Sequence, residues 1–199
     1  MKKTGIFYGS TTGTTESVAR LIAEKLGVSP ADVHDVSKLD AALAESYEAL
    51  ILGTSTWGDG ELQDDWYDGI KVLKNANLSG KTIALFGCGD SESYSDTFCD
   101  GMGILFEDLK DSGCTFVGAV SDSDYTYASS VAVADGKFVG LALDDVNESD
   151  HIDSFQELLA SHWKPYLDNL HVCMTDATCG LIVNPVSCQF SANIPDYGR

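Results

Sequence analysis

The chain has 199 residues, 44% of them hydrophobic, which is enough for one sizeable core and too little for several. Its 31 acidic residues against 12 basic ones give a formal net charge of −19, a surface that repels nucleic acid and anionic lipid and excludes both as partners. No apolar run is long enough to cross a bilayer, Gly5-Ile6-Phe7-Tyr8-Gly9 after Lys2 and Lys3 is too short for a signal peptide, and the 6 cysteines contain no CxxC pair, so a cytoplasmic protein without a disulfide scaffold is expected.

Residues 4–8 form a short apolar run that reads as a strand. Val18, Leu21, Ile22, Lys25 and Leu26 then recur at the spacing of one helix face, with only the lysine stem off pattern. A weak strand follows at 32–36 and a strong one at Ala49-Leu50-Ile51-Leu52-Gly53. A helix near 64–74, a strand at Thr82-Ile83-Ala84-Leu85-Phe86, a helix at about 98–112 and a strand at 115–120 continue the alternation. Strands that alternate with helices argue for a parallel sheet covered on both faces, and the unbroken apolar character of the two central strands fits burial on both sides.

From Ser121 to Gly136 the pattern breaks into Ser, Asp, Tyr and Ala without a lysine or arginine, and Phe138-Val139-Gly140-Leu141-Ala142-Leu143 then resumes as strand. An insertion that splits the last strand explains this. Ser154 to Leu167, with Phe155, Leu158, Leu159 and Trp163 apolar, closes the domain as a final helix that breaks near Pro165. Residues 168–199 hold three of the cysteines and no clear periodicity, and a segment of that length cannot build a core alone. The expected partition is therefore a doubly wound α/β domain over 1–167 and an extension over 168–199.

In such a sheet the ligand sits at the carboxyl ends of the strands, which singles out three loops. The first, Ser10-Thr11-Thr12-Gly13-Thr14-Thr15, runs directly into the first helix. Its hydroxyls and the opening helix N–H groups form a cradle for a phosphate. No lysine or arginine lies between Lys3 and Arg20, so the phosphate would be held by neutral donors and the helix dipole, a mode suited to one monoester and unlike a Walker A loop. A Ser/Thr-rich helix cap without a ligand is the plain alternative. Six consecutive residues of cap type shift the balance toward the cradle.

The second loop, Ser55-Thr56-Trp57-Gly58-Asp59-Gly60, places a large aromatic in a glycine-rich turn. The third, Gly87-Cys88-Gly89-Asp90 with Tyr94 beyond, does the same after the next strand. Two aromatics from neighbouring loops can sandwich a flat heterocycle, each stack contributing about 0.5–1.5 kcal/mol beyond its area burial. A phosphate cradle beside an aromatic sandwich describes a mononucleotide site.

These motifs, Tyr8-Gly9-Ser10-Thr11-Thr12-Gly13-Thr14-Thr15-Glu16-Ser17-Val18-Ala19, Thr56-Trp57-Gly58-Asp59-Gly60-Glu61-Leu62-Gln63 and Phe86-Gly87-Cys88-Gly89-Asp90 with Tyr94, Phe98 and Asp100 beyond, resemble those of the flavodoxins. Phe138-Val139-Gly140-Leu141-Ala142-Leu143-Asp144 resembles the long-chain branch of that family. The resemblance spans about residues 3–167. Thr14 departs from it, since Asn or Lys is commoner there, and the tail from 168 has no counterpart. The resemblance implies a flavodoxin-like three-layer sandwich with a five-stranded parallel sheet in the order 2-1-3-4-5. It implies non-covalent FMN, its phosphate on residues 10–15, its ring between Trp57 and Tyr94, and its pyrimidine edge against backbone near Gly89, Asp90 and Cys99. It also implies that the peptide at Gly58 turns its carbonyl toward flavin N5 as the neutral semiquinone forms, a flip that glycine permits at low steric cost.

Charge points the same way. Between Trp57 and Ile70 stand Asp59, Glu61, Asp64, Asp65 and Asp68, and between Thr82 and Leu109 stand Asp90, Glu92, Asp96, Asp100, Glu107 and Asp108, with no base in the first stretch or in the second. At about 10 Å and an effective dielectric near 40, six carboxylates would cost an anionic reduced flavin on the order of 5 kcal/mol. That corresponds to a second potential lowered by roughly 200 mV. The expected protein is a low-potential one-electron carrier, cycling mainly between semiquinone and hydroquinone. It is monomeric, and it meets redox partners that present a basic docking face. The alternative is a flavin-dependent NAD(P)H or quinone oxidoreductase, which needs room over the ring. His171, Cys173, Cys179 and Cys188 are too irregularly spaced for a zinc site, Cys114 reads as core, and His34, His151 and His162 carry no constellation.

Overall fold

The structure, a computed structural model, describes residues 2–144 and Asn147. Strand β1 (Thr4–Tyr8) is buried at every position. Helix α1 (Thr14–Leu26) follows, with Glu16 in its first turn and Lys25 in its last, both complementary to the helix dipole. It stops at Gly27, whose left-handed backbone lets its N–H return to the carbonyls of Ala23 and Glu24. Strand β2 (Val33–Asp35) and the short helix α2 (Ala41–Glu45) come next. The Asp40 carboxylate caps α2 by accepting from Leu43 N–H. Five residues are too few to show a helical period, so α2 has no counterpart in the sequence reading.

Strand β3 (Ala49–Trp57), strand β4 (Glu61–Leu62), helix α3 (Trp66–Asn75), strand β5 (Thr82–Gly89) and helix α4 (Asp100–Leu109) complete the central part. Strand β6 (Thr115–Val117) precedes three two-residue strands, β7 (Val120–Ser121), β8 (Val133–Ala134) and β9 (Lys137–Phe138), and β10 (Leu141–Asp144) ends the described chain. The main sheet runs β2-β1-β3-β5-β10, all parallel. β6 pairs with Thr82–Ala84 at the start of β5, and β10 pairs with Phe86–Gly89 at its end. They are two halves of one edge strand, so the expected order and the split last strand both hold.

Several strand boundaries differ from the sequence reading: the strand expected over 115–120 ends at Val117, and Val120 belongs to β7 of the small antiparallel sheet. β3 and β5 run on past Gly53 and Phe86, because their extensions pair with each other at Thr54–Gly87 and Ser55–Cys88. Phe138 belongs to the small antiparallel sheet β7-β9-β8 and not to the edge strand. The insertion is therefore a folded unit. The final helix expected over 154–167, with His151 and His162, and the extension over 168–199, with His171, Cys173, Cys179 and Cys188, lie outside the described residues.

The alternation of side chains along the strands sorts the core into two clusters. Phe7, Leu50, Leu52 and Leu85 pack with Trp66, Leu73, Met102 and Leu105 of α3 and α4. Ile6, Ile51, Ala84 and Phe86 pack with Ile22, Ala23 and Leu26 of α1. Both faces of the central strands are thus covered, as parallel sheets require. Cys88 is buried in β5, whereas Cys114, expected in the core, is only half-buried because it lies in the turn ahead of β6. No described helix is long and apolar enough to cross a membrane.

Candidate functional site

Parallel strands deliver their carboxyl ends to one edge, and there the loops after β1, β3 and β5 enclose a cleft of about 250 Å³. Thr12 lines it from the first loop and Thr14 from the start of α1, Ser55, Thr56 and Trp57 from the end of β3 with Gly58 just beyond, and Cys88 and Gly89 from the end of β5 with Asp90, Tyr94 and Cys99 beyond it. Thr97 and Phe98 also line it; Thr97 is absent from the expected set, and Phe98 stood only in the motif. Ser10, Thr11, Gly13, Thr15, Asp59, Gly60 and Gly87 do not line the cleft. Ser10, Thr11 and Gly13 belong to the loop beside it and Thr15 to the first turn of α1, Asp59 and Gly60 belong to the turn after Trp57, and Gly87 is buried within β5.

The first loop turns into α1 at Gly13, whose φ of 96° is left-handed and whose N–H donates to Ser10 Oγ at 3.1 Å. No side chain caps the helix. Its opening amides have no carbonyl one turn earlier to bond, so they face the loop as donors. Thr15 is buried, and its Oγ1 is the one buried side-chain polar atom without a hydrogen-bond partner among the described residues. Leaving such a hydroxyl unpaired costs about 1–3 kcal/mol. Uncapped amides and an orphaned hydroxyl at one point are what an oxyanion would satisfy. Arg20, further along α1, is engaged by Glu16 at 2.6 Å.

The second loop is a hairpin. Trp57 pairs with Glu61 across β3 and β4, and the Trp57 carbonyl accepts from Gly60 N–H at 3.1 Å. Gly58 has a φ of 50°, in the left-handed region. Trp57 is 40% exposed, an unusual state for an indole, and is held by its Nε1–H donating to Ser55 Oγ at 2.8 Å. On the third loop Tyr94 is 56% exposed. Asp90 Oδ1 accepts from Ser93 N–H at 2.9 Å, Glu92 N–H at 3.1 Å and Asn147 Nδ2 at 2.9 Å. Those bonds, the Ser93 amide first, bring its carboxyl down to about 2. Cys99 is fully buried at a φ of 59°, a conformation that costs a residue with a Cβ about 1–3 kcal/mol.

The insertion braces this third loop. The amides of Ala128 and Ser129 donate to Ser95 O at 2.9 and 3.1 Å, Ser129 Oγ donates to Asp96 O at 2.5 Å, and Ser130 Oγ donates to Phe98 O at 2.6 Å. Tyr125, Tyr127 and Phe138 pack on the Phe98 ring. This bracing has no sequence signature, because hydroxyl-to-carbonyl bonds leave no periodicity. A flat heteroaromatic ring with a phosphate arm fits the cleft on two grounds: the orphaned Thr15 hydroxyl beside uncapped amides, and two exposed aromatics on the facing loops.

The flavodoxin family model matches residues 6–157. Flavodoxin 1 of Escherichia coli strain K12 is 44% identical over 146 residues, 73% of this chain and 83% of that protein. The chain belongs to the flavodoxin family. Flavodoxin 1 of Azotobacter vinelandii is likewise 44% identical over 157 residues, 77% of this chain and 90% of that one. In the Fusobacterium nucleatum flavodoxin bound to flavin mononucleotide, 30% identical, the fold matches with a TM-score of 0.73 over 80% of this chain and 96% of that one.

The structure also revises the charge argument for this flavodoxin. Glu107 and Asp108 lie at the far end of α4 from the cleft, and they pair with Lys110 at 2.7 Å and Lys74 at 2.5 Å. Asp68 pairs with Lys71 at 2.7 Å, and Asp100 is buried, with its carboxyl raised by that burial. The acids of the two loops that enter none of the four ion pairs among the described residues are Asp59, Glu61, Asp64, Asp65, Asp90, Glu92 and Asp96. His34 is a further correction. It stacks on Phe7 with ring centroids 5.1 Å apart, and its Nε2 lies 2.8 Å from Tyr47 Oη.

Proposed function

We propose that this chain holds one FMN non-covalently in the cleft and carries single electrons between redox proteins. As a flavodoxin it is an electron-transfer protein and not a reductase, and redox proteins are its partners. The observation that carries the FMN assignment is that the unpartnered Thr15 hydroxyl and the uncapped start of α1 stand beside the cleft that the exposed Trp57 and Tyr94 line.

In this reading the loop from Ser10 to Thr15 takes the phosphate with amides and hydroxyls alone. Trp57 and Tyr94 cover the ring, and the backbone of Gly89, Asp90 and Cys99 meets its pyrimidine edge. Ser55, Thr56, Gly58, Asp59, Gly60, Gly87 and Cys88 shape the loops that carry these contacts. Bound FMN supplies the one-electron redox chemistry. The protein's own contribution is to exclude water with the two aromatic rings and to surround the site with carboxylates that disfavour added negative charge. That environment makes it a low-potential carrier. The same rim suits a basic docking face on the partner, and like-charge repulsion at a net charge of −19 favours a monomer. The folded insertion between β6 and β10 supports assigning the chain to the long-chain branch.

Titrating the apoprotein with FMN and following flavin fluorescence tests the assignment. Stacking on Trp57 and Tyr94 predicts stoichiometric quenching, with affinity lowered by about tenfold or more in Trp57→Ala. Unquenched flavin at stoichiometric FMN would overturn it.

A further inference from the structure

Gln63 follows β4 directly and is 2% exposed. Its Oε1 accepts from Asp65 N–H at 3.1 Å, while its Nε2 donates to Asp65 Oδ2 at 2.9 Å and to Thr11 Oγ1 at 3.5 Å. Asp65 thus fixes which end of the amide is which, since its carboxylate takes only donors and its N–H seeks only an acceptor. The same amide supports the chain where the first loop begins. A Cβ on Gly9 would lie 2.4 Å from Gln63 Oε1 and 2.5 Å from Trp66 Cδ1. Trp66 is itself anchored, because its Nε1–H and the Gly9 N–H both donate to the Gly53 carbonyl at 2.9 Å. Gln63 and Trp66 are the floor beneath Gly9 to Thr11.

We propose that Gln63 is a positioning residue that sets the hydrogen-bond polarity of the first loop, donating to Thr11 Oγ1 so that the Thr11 hydroxyl hydrogen is directed to a phosphate oxygen. A hydroxyl has one hydrogen to give. With Gln63 as the donor behind it, that hydrogen has no use toward the protein at this contact. A chain of donors running from the amide through the hydroxyl to an anion is mutually reinforcing. In a loop without lysine or arginine, the direction of each hydroxyl determines whether it attracts or repels a phosphate. The inference rests on the FMN reading of the cleft.

The test compares affinities for FMN and for riboflavin, which lacks the phosphate, measured by fluorescence on the apoprotein. Gln63→Leu keeps the volume and removes the donor; it is expected to weaken FMN by about tenfold while riboflavin changes by less than about twofold. Gln63→Glu turns an acceptor toward Thr11 and adds charge, so the loss of FMN selectivity is larger. Thr11→Val, at an exposed position, reproduces the selectivity loss, and adding Gln63→Leu to it costs nothing further. Equal weakening of FMN and riboflavin would show that Gln63 only braces the fold and would overturn the proposal. So would a Thr11→Val protein that keeps its selectivity, which needs no folded Gln63 variant. A parent protein that binds riboflavin and FMN equally would overturn the phosphate assignment itself, while one that binds neither would overturn the proposed function.

Discussion

The backbone N–H of Val131 donates to Oδ1 of Asp100 at 2.8 Å, tying the insertion to the start of α4 across 31 positions of sequence. The other carboxylate oxygen faces the Trp57 turn, for a Cβ on Gly60 would lie 2.8 Å from it. Asp100 therefore joins the insertion, the Cys99 loop and the hairpin. Asp100→Ala should expose the Val131 amide to hydrogen exchange and lower the stability of the apoprotein by about 1–2 kcal/mol. Exchange at Val131 unchanged from the parent would contradict this role.

The pH dependence at the same residue has a definite sign. Burial raises the Asp100 carboxyl above 3.8, the hydrogen bond from the Val131 amide opposing. A raised folded value means that relative stability is present below 3.8 and is lost as pH rises through the folded value. Asp100→Asn keeps the acceptor for Val131 and cannot ionise. Its stability relative to the parent should rise as pH climbs out of the acid range, in urea unfolding at a series of pH values.

His34 titrates with the opposite consequence. Tyr47 donates its hydroxyl hydrogen to Asp32 Oδ1 at 2.9 Å, so His34 Nε2 is the donor in the 2.8 Å contact to Tyr47. Burial lowers the imidazole below 6.5, the charge of Asp32 opposing. Stability from the neutral ring is present above 6.5 and is lost as pH falls through the lower folded value. His34→Phe keeps the stack on Phe7 and removes the titration. The stability of parent minus variant should fall as pH drops below about 6.5; a flat difference would contradict the half-buried neutral ring.

Most of the fold could be read from the sequence because its signals are local. Val18, Leu21, Ile22 and Leu26 mark one face of α1, and the unbroken apolar runs at 49–53 and 82–86 mark strands buried on both sides. The ligand loops stood out because Trp57 and Tyr94 sit among turn residues, where a core role is excluded. Harder to see were features made by distant partners. Gln63 reaches Thr11 over 52 positions, and Ser130 reaches Phe98 over 32, through single hydrogen bonds that no periodicity announces. Counting acids along the chain overstated the rim, because it ignored which end of α4 carries Glu107 and Asp108 and which lysines stand opposite them.

Gly58→Val places a β-branched residue at a φ of 50°, where a side chain costs about 1–2 kcal/mol and a Cβ would meet Glu61 Oε2 at 2.6 Å. The turn is then restricted to fewer backbone states. With FMN bound, the gap between the two one-electron midpoint potentials should narrow in this variant, as read by potentiometry. An unchanged gap would remove Gly58 from the redox function.

The rim acids outside the ion pairs should steer basic partners. Electron transfer to a basic redox protein should slow by about tenfold or more as ionic strength rises from low to high salt. Glu61→Lys with Asp64→Lys should flatten that dependence in stopped-flow measurements. A salt dependence equal to the parent's would place the docking face elsewhere.

An anaerobic reductive titration of the FMN-loaded protein, with potentials recorded throughout, separates a one-electron carrier from a two-electron enzyme. Two separate one-electron steps are expected, the second strongly negative and lower than that of free FMN. A single two-electron step, or rapid reduction by a nicotinamide cofactor alone, would contradict a one-electron carrier.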